Sequence, residues 1–236
     1  MQKIWVCGAR DQIGQAVNDV VDKLEFEMLD TDVDDLDVTD TDEVLRFGEM
    51  NRPDIIINCS GMTDISSCEE NPSQAFKVNA LGARNLAIVA AKMQAKMVQL
   101  STDDVFDGKS TEPYTEFDIT NPGTVYGKSK LAGENYVKEF TTKHFIVRST
   151  WVYGKGQNFI NGFLKKVDAG EQLSIASDQF GSPTSANELA RFLLHLVHTS
   201  EYGTYHATNK GVCSRYAFAQ EILKMTGKTA SMQPVP

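Results

Sequence analysis

The sequence predicts an α/β fold: a doubly wound parallel sheet carrying a small C-terminal lobe. Three observations predict it. Strand-like apolar runs alternate with helix-like segments through residue 150, the pattern of βαβ units on a parallel sheet. The first apolar run ends in a glycine-bearing turn that opens a helix, the arrangement that cradles phosphates on backbone N–H groups. The chain has 236 residues, 41% of them hydrophobic and 23% charged, enough for one large domain or a domain with a small second lobe.

The elements follow in order. Lys3-Ile4-Trp5-Val6-Cys7 reads as a strand and not as a signal peptide. Gly8-Ala9-Arg10-Asp11-Gln12-Ile13-Gly14 is the turn, and Ile13, Val17, Val20 and Val21 mark one face of the helix after it. Asp11 stands where the usual pattern has its middle glycine. Aspartate tolerates a left-handed backbone better than most residues, so the turn is expected to survive. Its carboxylate is expected either to point away from bound phosphates or to weaken their binding.

The next strand runs from Phe26 to Leu29 and ends at Asp30-Thr31-Asp32. Asp30 lies at the distance expected of a carboxylate that meets a ribose 2′-hydroxyl of NAD, whereas Arg10 would favour the 2′-phosphate of NADP. Seven aspartates fall between Asp30 and Asp42, most of them in what reads as a solvated loop. Asp40 is the expected N-cap of the following helix, with Glu43 three residues on.

Pro53-Asp54 opens Ile55-Ile56-Ile57-Asn58, uniformly apolar like a buried parallel strand. Cys59 to Thr63 lie at its C-terminal end, where open α/β sheets bind ligands. A long helix is expected from Pro72 to Met93, carrying Asn79. Met97 to Leu100 then delivers Ser101-Thr102-Asp103-Asp104 to the same edge. A polar loop from Val105 to Gly123, a helix with Tyr126 and Lys130, and a strand Phe145–Arg148 complete the expected dinucleotide-binding unit, residues 1–150. Beyond it come a helix near 159–169, a short strand near 173–175, and helices near 187–198 and 216–225. Residues 151–236 are expected to form mainly a substrate lobe over the strand ends.

Composition excludes several functions. The net charge of -9 argues against nucleic acid, which needs a basic face. No apolar run approaches membrane-spanning length. Cys7, Cys59, Cys68 and Cys213 show no C-x-x-C spacing, so neither zinc nor a disulfide framework is indicated. Reduced thiols and a cytoplasmic setting are expected.

Tyr126 and Lys130 share a helix face. A free tyrosine titrates near pH ~10, and an ammonium beside it is expected to lower that value. A tyrosine so placed can protonate a carbonyl oxygen as hydride reaches the carbon. The spacing alone recurs by chance in many helices, so the rest of the chain must support it.

It does so through several stretches together: Pro53–Asn58, Val78-Asn-Ala-Leu-Gly-Ala-Arg-Asn-Leu-Ala87, Ser101-Thr-Asp103, Val105–Gly108, Asn121-Pro122, Val125-Tyr-Gly-Lys-Ser-Lys-Leu-Ala-Gly-Glu134, Val147-Arg148, Trp151–Gly154 and Asp178-Gln-Phe-Gly-Ser-Pro-Thr184. In this order the chain resembles the dTDP-4-dehydrorhamnose reductases of the extended short-chain dehydrogenase/reductase superfamily. The resemblance implies a Rossmann-like fold and NADPH- or NADH-dependent reduction of the C4 ketone of dTDP-4-dehydro-L-rhamnose. It implies Tyr126 as proton donor, Lys130 on the nicotinamide ribose and Thr102 on the reacting carbonyl. It places Gly8, Gln12, Ile13 and Gly14 on the pyrophosphate, and Asp37 and Val38 beside the adenine. Cys59, Ser60, Gly61 and Thr63 would line the cofactor trough, and Asp103, Asp104 and Trp151 would meet the sugar, Trp151 through an apolar face.

The chain departs from the family at Asp11, at Asp104 (usually tyrosine), and in ending at Pro236, so that part of the lobe is expected beyond it. The family's metal-bridging glutamates are matched by Ala16 and only nearly by Glu188, so no metal is carried over. A monomer or weak homodimer is expected. Two alternatives stay open: another sugar-nucleotide reductase or epimerase of the superfamily, and a non-catalytic NADP-binding regulator resembling the methionine adenosyltransferase β subunit.

Overall fold

The computed structural model describes residues 1–236. β1 (Gln2–Cys7), α1 (Gln12–Val20), β2 (Phe26–Thr31), α2 (Thr41–Asn51) and β3 (Ile55–Asn58) form the first half. Next come α3 (Ile65–Glu70), α4 (Pro72–Phe76), a π-helical turn at Lys77–Gly82, and α5 (Ala83–Met93). β4 (Lys96–Thr102), a 3-10 turn at Asp103–Val105, α6 (Val125–Phe140) and β5 (His144–Ser149) follow. The rest comprises β6 (Val152–Tyr153), α7 (Phe159–Asp168), β7 (Leu173–Ala176), β8 (Phe180–Gly181), β9 (Thr184–Ser185), α8 (Ala186–Val197), β10 (Gly203–His206), β11 (Cys213–Ser214), α9 (Arg215–Thr226) and β12 (Met232–Val235).

Six strands make one parallel sheet in the order β10-β5-β4-β3-β1-β2. The chain leaves β1 toward β2 on one side and β3 on the other. That reversal is the switch point at which such sheets bind ligands beyond their C-terminal ends. Both faces are covered, which is why the strands read as unbroken apolar runs. Ile4, Val6, Ile55, Ile57, Phe145 and Val147 pack under α1 and α8, through Val17, Leu189 and Leu193. Trp5, Ile56, Met97 and Ile146 pack on the other face under α2, α5 and α6, through Val44, Leu86, Val89 and Val137.

The division expected at residue 150 is not followed in space. α8 shares the first core with α1, and β10 pairs in parallel with β5 as the sixth strand. The short run Gly203–His206 carries no long apolar stretch, so periodicity did not mark it. What stands apart is a smaller cluster around Phe163, Leu173, Ala219 and Ile222, joining α7, β7 and α9. The long helix expected over 72–93 is present but interrupted by the π-turn. The Asp40 carboxylate caps α2 by accepting from Glu43 N at 2.9 Å. The Glu43 carboxylate accepts from Asp37 N at 3.2 Å rather than from the cap residue's own N–H.

Candidate active site

The site is built at the C-terminal ends of β1, β3 and β4. Helix α6 starts with Thr124 as N-cap, its hydroxyl accepting from Gly127 N at 3.0 Å. A Cβ on Gly127 would stand 2.0 Å from the Asp104 carbonyl oxygen, so only glycine lets the first turn of α6 dock on the 3-10 turn after β4. That docking sets Tyr126 beside Thr102. The π-turn supplies the buried Asn79. Its side chain accepts from Met62 N at 2.8 Å and donates to Met62 O at 2.9 Å and to Ser129 Oγ at 2.8 Å. Ser129 Oγ in turn donates to Tyr126 O at 2.8 Å. One buried asparagine thus ties the loop after β3 to the helix holding Tyr126 and Lys130. π-turns of this kind recur at functional sites.

Thr102, Tyr126 and Lys130 are brought together. The electrostatics differ from the expectation that Lys130 would lower the Tyr126 pKa. Burial raises the Tyr126 pKa well above its usual value, a hydrogen bond with Thr102 opposes this, and the carboxylates of Asp104 and Asp103 add to the rise. Lys130 is buried. Burial pushes its pKa down to about 8, while Glu134, Cys59 and Asp11 pull it back up. Its ammonium lies 3.6 Å from where a Cβ on Gly61 would stand.

Glu134 lies one turn further along α6 and is fully buried. It receives two bonds from Arg148, Nε at 2.8 Å and Nη2 at 2.7 Å, and one from Ser101 Oγ at 2.6 Å. This charge-assisted clamp fixes α6 against β4 and β5.

A cleft of about 540 Å³ opens beside these residues at the switch point. Gly8, Arg10, Asp11, Asp37, Val38, Cys59, Ser60 and Gly61 line it. Thr63 does not; Thr31, Asp32, Val33, Leu36, Met62, Gln74 and Val78 do. The last two come from the helix after Pro72, where no glycine or charge signalled them. Gly8 has φ +75°, and a Cβ there would meet Ser60 N at 2.7 Å, so the loops after β1 and β3 approach backbone to backbone. A cleft of this volume over such a loop, with the Lys130 ammonium close to Gly61 in its lining, has room for a dinucleotide.

Several cofactor-side expectations are corrected. Asp30 is an exposed residue inside β2 and outside the cleft, one position short of the strand's C-terminal end. Asp32, two residues later, is the carboxylate at that end. Asp11 is not left-handed: at φ -64° and ψ 157° it is the extended N-cap of α1. Neither does it point away, because its Oδ1 accepts from Ile13 N at 3.1 Å. Burial raises the Asp11 pKa, while bonds from the Ile13 and Gln12 amides and the charge of Lys130 lower it. Gln12 sends its side-chain Nε2 to Val152 O at 3.2 Å. Gly14 is a packing residue: its Cβ would stand 2.3 Å from Gly8 O.

On the sugar side, Asp103 accepts from Thr150 Oγ1 at 2.5 Å and Thr102 Oγ1 at 3.1 Å. Its surface is solvent-exposed, yet desolvation by the protein around it raises its pKa. Asp104 is raised to about 6 by burial and by Asp103, with Arg215 opposing. Trp151 is a left-handed residue, φ 45°, and its ring is not a free apolar face. The Arg215 guanidinium lies 3.6 Å from the ring centroid, and a Cβ on Gly181 would stand 2.6 Å from the ring. Arg215, at the first turn of α9, is the residue the sequence reading missed. Only its neighbourhood in space, with Trp151 and the two aspartates, marks it out. No group of three or more His, Cys, Asp or Glu side chains is arranged to hold a metal ion.

Comparison with known proteins places this geometry. The family model described as the RmlD substrate binding domain matches residues 1–236. The chain is similar to the spore coat polysaccharide biosynthesis protein SpsK of Bacillus subtilis, 35% identical over 96% of this chain and 80% of that one. The crystal structure of a dTDP-4-dehydrorhamnose reductase from Clostridium acetobutylicum superposes with a TM-score of 0.97 at 42% identity, covering 99% of this chain and 84% of that one. The dTDP-4-dehydrorhamnose reductase of Bacillus anthracis, solved in complex with NADP, gives a TM-score of 0.96 at 38% identity, over 100% of this chain and 84% of that one. Matched end to end by the family model, the chain belongs to the RmlD, or dTDP-4-dehydrorhamnose reductase, family.

Proposed function

We propose that the chain catalyses NAD(P)H-dependent reduction of the C4 ketone of dTDP-4-dehydro-L-rhamnose, giving dTDP-L-rhamnose. The observation that carries this reading is the grouping of Thr102, Tyr126 and a buried Lys130 next to the cleft, the Lys130 ammonium lying close to Gly61 in its lining. It is made in a chain 42% identical to a dTDP-4-dehydrorhamnose reductase.

The bound dinucleotide would supply hydride to the carbonyl carbon. Tyr126 gives its phenolic proton to the ketone oxygen, and the Thr102 hydroxyl steadies that oxygen by a hydrogen bond. Lys130 holds the cofactor's ribose and offsets the phenolate charge left after transfer. Gly8 and the amides at the start of α1 hold the pyrophosphate, and Leu36, Val38, Gln74 and Val78 bracket the adenine end. Asp103 and Asp104, faced by Arg215, hold sugar hydroxyls.

In this reading the sheet, with α8 and β10 included, is the cofactor unit. The α7–β7–α9 cluster belongs to the sugar side. The reaction feeds cell-surface polysaccharide synthesis in the cytoplasm.

The test is to mix purified protein, dTDP-4-dehydrorhamnose and reduced cofactor, follow cofactor oxidation, and identify the product by NMR. Oxidation with dTDP-L-rhamnose as product supports the reading. Cofactor binding without oxidation on this or other 4-keto deoxysugar nucleotides contradicts it.

A further inference from the structure

A threonine hydroxyl has one proton and two lone pairs, and at Thr102 the structure engages nearly all of them. Oγ1 accepts from Asp104 N at 3.2 Å, which takes up one lone pair. Its proton goes to Asp103 Oδ1 at 3.1 Å. Tyr126 shares a hydrogen bond with the same hydroxyl. While the proton points at Asp103, only the second lone pair faces Tyr126. The phenol then donates to Thr102, and Thr102 has no proton to offer a ketone. A carboxylic acid at Asp103 reverses both bonds. It donates to the second lone pair, and the Thr102 proton turns to the side where Tyr126 stands. The other Asp103 oxygen accepts from Thr150 Oγ1 at 2.5 Å, so the carboxyl group is held from both ends.

We propose that Asp103, in its protonated form, is the positioning residue that turns the Thr102 hydroxyl toward the reacting ketone. The inference rests on the reductase reading above and deepens it, because that reading needs Thr102 to donate. Asp103 keeps its proton throughout; the proton delivered to the ketone oxygen is that of Tyr126. The groups facing Asp103 come from several elements. Burial is the largest influence and favours the neutral acid, whereas the hydroxyls of Thr150 and Thr102 and the charge of Arg215, from α9, favour the carboxylate. Asp104, on the same turn, adds a like charge, and Tyr126 faces it from α6. Asp103 still has surface open to water. A sugar seated over it removes that water and favours the acid further.

The test is the pH profile of kcat and KM for reduction of dTDP-4-dehydrorhamnose by the full chain, with thermal unfolding as a control on the fold. Wild-type kcat is expected to fall about tenfold per pH unit once Asp103 ionises in the complex. In Asp103→Asn, Oδ1 stays on Thr150 and Nδ2 donates to Thr102 at every pH. That fall is then absent, while KM rises because a sugar contact has changed. Asp103→Ala leaves the Thr102 hydroxyl undirected, and kcat drops at least about tenfold across the range. Thr150→Val removes a bond that favours the carboxylate and moves the fall up by about one pH unit. Asp104→Asn, a control for the neighbouring carboxylate, keeps the fall. Profiles of kcat that coincide for wild type and Asp103→Asn, or an Asn variant as slow as Asp103→Ala at every pH, overturn the proposal and leave the reductase reading standing. A wild-type protein that does not reduce the ketone overturns the two together.

Discussion

Replacing Asp11 by glycine is expected to tighten cofactor binding. The structure supplies the reason. The carboxylate caps α1 through Ile13 N at 3.1 Å, at the amides that a pyrophosphate would use. It thus competes with the ligand for donors and repels it by charge. At an effective dielectric of about 20, unit charges about 6 Å apart interact by roughly 3 kcal/mol. Solvent and side-chain rotation reduce this to roughly 1–2 kcal/mol, or about five- to thirtyfold in Kd. The lost cap costs little, because glycine is itself tolerated at that position, within a few tenths of a kcal/mol.

Dinucleotide titration by fluorescence measures the effect directly, with thermal unfolding as a control on the fold. The Asp11 pKa is raised in the folded protein, so mild acid protonates this carboxylate before ordinary ones. Wild-type affinity should therefore rise on acidification, whereas the variant's should change less. Equal Kd for wild type and Asp11→Gly would refute the reasoning, showing that the carboxylate swings out at no cost.

Two further predictions concern buried charge. Asp104 has its pKa raised to about 6, so the stability it contributes is complete below the unfolded value of about 3.9 and is lost as pH rises through about 6. Asp104→Asn, which mimics the protonated form, should raise unfolding free energy at about pH 7.5 by roughly 1–2 kcal/mol after allowance for solvent. At about pH 4 it should change little, and an equal effect at both pH values would contradict this. Glu134→Gln leaves Arg148 buried beside a neutral partner and should cost about 3–5 kcal/mol. A urea midpoint close to that of wild type would show that the clamp contributes little.

The strands were legible in the sequence because both faces of the sheet are buried, so each central strand reads as an apolar run such as Ile55–Ile57. The shared face of Tyr126 and Lys130 was legible because helix geometry relates residues four apart, but that spacing alone does not mark a site, and the roles of Tyr126, Lys130 and Thr102 came from the resemblance. What escaped depended on packing between distant segments. β10 was unreadable, since Gly203–His206 is recruited by the edge of β5. Asp30 lies inside β2 and Asp32 just past its end, and a count of residues from the glycine turn cannot tell them apart. The Tyr126 pKa follows from desolvation and the carboxylates of the next loop, neither visible in a spacing of four. Arg215 lies 64 residues from the Trp151 ring it covers, and no motif links them.

The central claim is that Tyr126 delivers the proton. The most direct measurement compares wild type with Tyr126→Phe for reduction of dTDP-4-dehydrorhamnose, together with the Kd for the reduced cofactor. The account predicts a fall in turnover of at least about 10²-fold with Kd nearly unchanged, because phenylalanine keeps the ring and removes only the hydroxyl. Turnover near that of wild type would show that another group supplies the proton, and would remove Tyr126 from the centre of the mechanism.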